Sequence, residues 1–210
     1  TAQLHVISNG VDRCFRYRKK AKPPQWADKF VILMICRLSN EKRQDVLIEA
    51  IKKSRYAQRI QLVLAGQGPK REKYEALAAD LANPIVIDFY EKPRLLDLLA
   101  ECDLYVHAAD AEIEAISCME AFSSGLVPVI ANSPKSATPQ FALDDRSLFE
   151  AGSSDDLAAK IDYWMENESQ RRMMEIRYAL HGRQYGIDAC VSQIEEMFRQ
   201  AMEEAEVLHA

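Results

Sequence analysis

Continuous apolar runs alternate with amphipathic stretches along most of the chain. KFVILMICRL (29–38) is nearly unbroken in apolar residues, as expected of a central parallel strand covered on both faces. From Gln44 to Lys53 the spacing becomes helical, with Val46, Leu47, Ala50 and Ile51 on one side. RIQLVLAG (59–66) predicts a second strand closed by Gly66, residues 70–82 a helix, and PIVIDFY (84–90) a third strand. Pro93 opens the next helix, where its missing N–H costs nothing. DLYVHA (103–108), residues 116–124, LVPVIA (126–131) and RSLFEA (146–151) continue as strand, helix, strand and short strand. Ser154 is the expected N-cap of a helix from Asp155 to Asn167, and two further helices cover 169–181 and 188–206.

Strands alternating with helices imply an α/β fold: a doubly wound, Rossmann-like parallel sheet of about six strands, helices on both faces, and helices at the C-terminal end. Three parts are expected. Residues 1–28 form a domain-opening strand (LHVIS) and linker, 29–187 the Rossmann-like domain, and 188–210 a C-terminal helix. In such sheets ligands bind outside the carboxyl ends of the strands.

Composition narrows the function classes. The net charge of −5 gives no electrostatic reason to expect nucleic acid. One basic cluster, RCFRYRKKAK (13–22), reads either as a solvated linker face or as a surface for anionic lipid or a partner. No run approaches the roughly 18 apolar residues of a membrane span, and no leader-like core is visible at the start. The five cysteines are odd in number and lack CxxC spacing, which argues against a disulfide framework and a metal site. Reduced thiols in a cytoplasmic protein are the plain reading.

The residues just past the predicted strand ends carry the chemistry. Arg37, Ser39 and Lys42 follow the first strand, Gly66-Gln67-Gly68-Pro69 the second, Tyr90-Glu91 the third, and His107 then Glu112 the fourth. Glu120 lies in the second turn of the helix opening near Ile116. An Arg and a Lys on one loop can clamp a diphosphate, and free amides at a helix start add an anion site. Carboxylates accept sugar and ribose hydroxyls. The rim therefore suits a nucleoside diphosphate bearing a sugar. Plainer roles compete: Arg37 can pair with Glu41, Lys42 can be solvated within NEKRQD, and Glu120 can be a helix-surface charge. Gly66 and Gly68 can simply shape a turn. His107 reads as a strand-end hydrogen bonder and is left out of the candidate site.

ISNGVD (7–12), ICRLSNEKRQDVLIEAI (35–51), LVLAGQGP (62–69), CDLYVHAA (102–109), the E-x7-E pair Glu112 and Glu120, and GLVPVIA (125–131) occur in this order. Together they resemble the C-terminal, donor-binding half of a glycosyltransferase of family 4, with the two-domain GT-B architecture. The resemblance implies a retaining, metal-independent enzyme without cofactor, its donor substrate a nucleoside diphosphate sugar. It assigns Arg37 and Lys42 to the diphosphate, Glu112 to the donor-sugar hydroxyls and Glu120 to the ribose. The backbone amides around Ile116 and Ser117 would meet the phosphates, Ala115 is small enough to keep the backbone's approach to the donor, Gly66 belongs to the donor-binding set, and the segment near Tyr90 would line the base. Arg37, Lys42 and Glu112 would carry catalysis by stabilising the leaving diphosphate and the sugar. This chain departs from the usual pattern at Ile113-Glu114-Ala115, where Gly-Phe-Gly is common, at His107-Ala108 for Pro-Ser, and at Glu91 for Gly.

Further expectations follow from the resemblance. An N-terminal acceptor-binding domain would complete the enzyme, leaving this half to bind nucleotide with little or no transfer. The acceptor would be a glycan or lipid of the bacterial envelope. The site would be cytoplasmic, with peripheral association at the inner face of the membrane open to the full enzyme. Met197, Phe198, Met202 and Leu208 would stay partly exposed where the missing domain docks. Glu114 is expected to be dispensable. A sugar-nucleotide epimerase on the same architecture and a non-catalytic nucleotide-binding module are the rival classes.

Overall fold

A computed structural model describes residues 5–209, with side chains to residue 204. Six parallel strands form one sheet: β1 (Phe30–Ile35), β2 (Ile60–Ala65), β3 (Val86–Asp88), β4 (Leu104–His107), β5 (Pro128–Asn132) and β6 (Leu148–Glu150). Their order is β3-β2-β1-β4-β5-β6. The chain winds outward from β1 through β2 to β3, then crosses back to lay β4 on the other side of β1. The reversal point is thus between β1 and β4, where a doubly wound sheet opens a crevice at its carboxyl edge.

Among the described residues the α-helices are α1 (Gln44–Lys53), α2 (Arg71–Leu77), α3 (Lys92–Glu101), α4 (Ile116–Ser123), α5 (Ser154–Glu166), α6 (Glu168–Gly182) and α7 (Ile187–His209). Helix α1 packs on α2 and α5, while α4 packs on α6, so helices cover both sides of the sheet. This explains the apolar runs: Val31, Ile32 and Leu33 in β1 and Val63 and Leu64 in β2 are fully buried. Burial on both faces removes any need for polar alternation.

The predicted architecture is present, with shorter elements than the apolar runs implied. β1 stops at Ile35 rather than residue 38, because Cys36, Arg37 and Leu38 turn against the Gly66–Gly68 loop. β3 is limited to Val86–Asp88, and Phe89 and Tyr90 leave the sheet edge. The helix expected over 70–82 ends at Leu77. Pro84 disfavours helix at Asn83, whose side chain instead donates to the carbonyls of Gln58 and Ile60 at 3.0 and 2.8 Å. The cap of α5 is Ser153, which accepts from the Asp156 amide at 3.2 Å. Ser154 receives a bond from Lys53 at 2.9 Å. The expected opening strand over 4–8 is not formed by residues 5–8, and Leu4 lies outside the described residues. A single parallel bridge joins Val11 to Gly186 further on.

The basic cluster is largely exposed, as expected of a solvated linker face, and several of its side chains pair with carboxylates of the domain. Arg13 pairs with Asp188, Arg18 and Lys20 with Asp97, Lys19 with Glu175 and Lys22 with Asp103. These contacts tie the linker along the domain. All five cysteines are free. On α7, Phe198 and Met202 are exposed and Met197 is half-buried, while the Leu208 side chain lies outside those described.

Candidate functional site

The loops after β1 and β2 run in direct contact. Leu38 donates to the Gln67 carbonyl at 3.1 Å, and Cys36 to that of Ala65 at 3.1 Å. A Cβ on Gly66 would stand 2.0 Å from the Cys36 oxygen, and one on Gly68 2.4 Å from the Leu38 oxygen. Both glycines are therefore required for close approach of two backbones. Arg37 projects from this junction, exposed. Glu41, its expected partner, is taken by the Ser39 hydroxyl, and Arg37 makes no ion pair among the described residues. Beside it Ile35, Cys36, Gly66, Phe89, Tyr90 and Leu95 line a cleft of about 280 Å³. Phe89 is exposed there, and the half-buried Tyr90 has its phenol pKa raised by burial. The slot is apolar with one cation at its mouth.

Lys42 closes a short turn, Asn40–Lys42, and Arg43 follows with φ 55° and ψ 41°. Arg43 is the one non-glycine with positive φ among the described residues, a conformation that costs on the order of 1 kcal/mol and persists only when its surroundings enforce it. Here the enforcing contacts cross to the loop after β4: Arg43 donates to Asp110 at 2.9 Å, and the Asp110 amide to the Glu41 carbonyl at 3.0 Å. The turn swings Lys42 out of the charged run and onto Glu112, with which it forms a largely buried ion pair.

Glu112 has a second neighbour on its other side. The buried His107 brings Nε2 to 3.5 Å from Glu112 Oε1, and Nδ1 lies 3.3 Å from the Tyr105 hydroxyl. That hydroxyl is 3.2 Å from Ser117 Oγ, in the first turn of α4. Burial pushes the Glu112 pKa upward, but His107 and Lys42 together outweigh it and hold the carboxyl below its usual value. A chain of polar contacts thus connects Lys42, Glu112, His107, Tyr105 and Ser117. His107 and Tyr105 belong to this chain although neither was a candidate; the signal available was a histidine ending a buried strand just before the acidic loop.

Helix α4 begins at Ile116 with no side-chain cap, its N-cap position being the buried Ala115. Of the two amides expected at the phosphates, that of Ile116 is bonded to the Glu114 carbonyl at 3.0 Å. The Ser117 amide has no acceptor among the described residues. Glu114 is not a spare carboxylate. It accepts from Ser8 Oγ at 2.5 Å, from the Asn9 amide at 3.2 Å and from the Asn9 side chain, anchoring Ser8 and Asn9 to the loop before α4.

Glu120 contrasts with Glu112. It is half-buried, and its carboxylate makes no hydrogen bond or ion pair among the described residues. Burial pushes its pKa up to about 7, and the nearest charges, Lys92 and Asp12, pair with each other at 2.7 Å. The structure therefore places Arg37, Lys42, Gly66, Tyr90 and Glu112 on the loops and turns that follow β1, β2, β3 and β4, Ala115 at the N-cap of α4, and Ile116, Ser117 and Glu120 within α4.

Residues 16–179 match the family described as glycosyl transferases group 1. None of the curated proteins matches the chain. Among solved structures, the catalytic domain of cholesterol-α-glucosyltransferase from Helicobacter pylori is 52% identical, with a TM-score of 0.72, over 74% of this chain and 98% of that one. Anabaena Alr3699/HepE in complex with UDP is 20% identical, with a TM-score of 0.78, over 93% of this chain and 57% of its own. The C-terminal domain of LpcC from Francisella tularensis is 19% identical, with a TM-score of 0.65, over 88% of this chain and 98% of that one. The last two likenesses concern the fold.

Proposed function

This chain belongs to the glycosyl transferases group 1 family, a glycosyltransferase in GT-B form, and from that premise we propose that it is the donor half of a UDP-glucose-dependent enzyme that glucosylates a lipid hydroxyl with retention. The observation that carries this reading is the 52% identity to the cholesterol-α-glucosyltransferase catalytic domain. An α-glucoside made from an α-linked donor is a retained configuration. That identity also favours the lipid over the glycan arm of the acceptor expectation. Binding of UDP and UDP-glucose by the fold relative HepE supports the choice of nucleotide.

The apolar slot at Phe89 and Tyr90 receives the base, and Arg37 at its mouth meets the diphosphate. Lys42, already neutralising Glu112, can be shared between that carboxylate and a phosphate oxygen. As the sugar–phosphate bond breaks, negative charge builds on the diphosphate and these cations stabilise it. Glu112, kept ionised, accepts from donor-sugar hydroxyls, and Glu120 accepts from ribose. The acceptor is bound by a second domain, so this half alone binds donor without appreciable transfer.

The test is thermal denaturation with UDP, GDP, ADP and CMP and their common sugars. A ligand held only by the folded state raises the midpoint. UDP and UDP-glucose should raise it at millimolar concentration, the second more than the first. A panel that leaves the midpoint unmoved would sink the donor assignment, and a preference for GDP or ADP would redirect it.

A further inference from the structure

Beyond the amino ends of the strands, away from the donor rim, the linker, the start of β1 and helix α6 enclose a second cleft of about 470 Å³. Seven cationic and five anionic side chains line it, a local excess of positive charge in a chain whose net charge is −5. Its carboxylates are each paired with a cation, although Glu101 and Glu175 each keep one buried oxygen without a hydrogen bond. Lys22 holds Asp103 at 2.5 Å, Lys19 holds Glu175 at 3.1 Å, and Arg172 holds Glu168 at 2.6 Å.

Two guanidiniums are incompletely paired. Arg59, just before β2, is exposed and makes no side-chain hydrogen bond or ion pair among the described residues. Arg171 is the more telling one. Only 8% of its side chain is exposed, it lies over the Phe30 ring at 4.8 Å, and Nη1 donates to the Trp164 carbonyl at 2.5 Å. Its Nε is buried with no hydrogen-bond partner, and the Glu175 carboxylate is 3.9 Å away and already held by Lys19. A guanidinium withdrawn from water with donors unmet is costly unless an anion completes it.

We propose that this cleft binds a small phosphate-bearing molecule whose oxyanion is shared by Arg171 and Arg59. The stack on Phe30 and the bond to Trp164 fix the plane of the Arg171 fork, so little freedom is lost on meeting an oxyanion. A phosphoryl group suits the site better than a carboxylate, since it offers three oxygens to cations arriving from the linker, the turn before β2 and α6. The cavity leaves room for the rest of a small ester. The assignment is independent of the donor reading, which concerns the other edge of the sheet.

The test is calorimetric titration of the whole chain with inorganic phosphate at constant ionic strength, comparing the parent with Arg59→Ala and Arg37→Ala. Binding should survive Arg37→Ala and weaken roughly tenfold or more in Arg59→Ala, as for loss of one charge-assisted contact. Arg59 is exposed, so its removal leaves the fold intact. Arg171→Lys, which keeps the charge but not the fork, should weaken binding as well while retaining the parent's circular dichroism. No binding by the parent overturns the proposal. So does binding lost only with Arg37→Ala, which moves the phosphate to the donor rim, or binding equal in all variants, which reduces it to diffuse ion attraction.

Discussion

The two ends of the E-x7-E pair receive opposite treatment from the same helix start. Glu112, on the loop before α4, is half-buried yet held ionised, because Lys42 and His107 reach it from β1's loop and β4. Glu120, inside α4, is half-buried without a partner, and its pKa stands at about 7. Burial acts on both in the same direction. The difference lies in whether the fold brings a cation to the carboxylate. Glu112 is a ready acceptor over the whole physiological range, whereas Glu120 becomes a good acceptor once a ligand brings donors. A nucleotide sugar spanning the two would meet a preformed contact at its sugar and a ligand-dependent one at its ribose.

The sharpest way to break this comparison is Glu112→Gln. In an enzyme carrying both domains, kcat should fall about 100-fold or more, as for loss of a group aimed at the reacting sugar. In the present chain, UDP should bind as before while the extra affinity of UDP-glucose is lost. Equal weakening for both ligands would mean that Glu112 serves the diphosphate by holding Lys42. Next in size is Arg37→Ala. UDP should bind roughly 10- to 100-fold more weakly and uridine unchanged, since a charge-assisted bond of about 1.5–3 kcal/mol is removed. Calorimetry that shows the same loss for uridine would place Arg37 against the base.

How far the site could be read in advance depended on the range of each interaction. Strand order and the rim followed from local signals: apolar runs, Gly66 and Gly68 after a strand, and Pro93 at a helix start. Lys42 could not be placed locally, because only the left-handed turn at Arg43, held by Asp110 across the reversal point, aims it at Glu112. His107 was set aside for the same reason, its neighbour being decided by the path of the loop after β4. The partners of Glu114 are Ser8 and Asn9, more than a hundred positions away, and no periodicity reports such a contact. The ends of β1 and β3 were overrun because Cys36, Phe89 and Tyr90, which line the cleft, look like residues that fill a core.

The anchoring contact gives an intermediate effect. Glu114→Ala should cost about 1–2 kcal/mol in denaturant unfolding, from bonds to a charged acceptor that is partly exposed. UDP-glucose affinity should stay within roughly twofold of the parent. A large loss of sugar affinity would instead place Glu114 in the donor pocket.

The smallest expected effect probes Glu120 through pH. Its folded pKa of about 7 lies above the ordinary glutamate value of roughly 4.3 in an unfolded chain. Between those values the folded state holds a proton that the unfolded state has released. The contribution to stability is therefore complete below the unfolded value and is lost as pH rises through about 7. Water still reaches the carboxylate, which limits the effect to about 1 kcal/mol. Unfolding of the parent and Glu120→Gln at pH 5 and pH 8 should therefore show the parent losing more, with the difference confined to that interval. Glu112, whose pKa is lowered, should give the opposite trend, losing stability only as the pH falls through its folded value in acid. Ligand binding supplies the second readout. Ribose hydroxyls bond best to an ionised carboxylate, so UDP should displace the Glu120 proton near pH 7. Calorimetry in buffers of different ionisation enthalpy should detect that proton in the parent and not in Glu120→Gln. Proton release that persists in the variant would assign it to another group and leave Glu120 without a part in nucleotide binding.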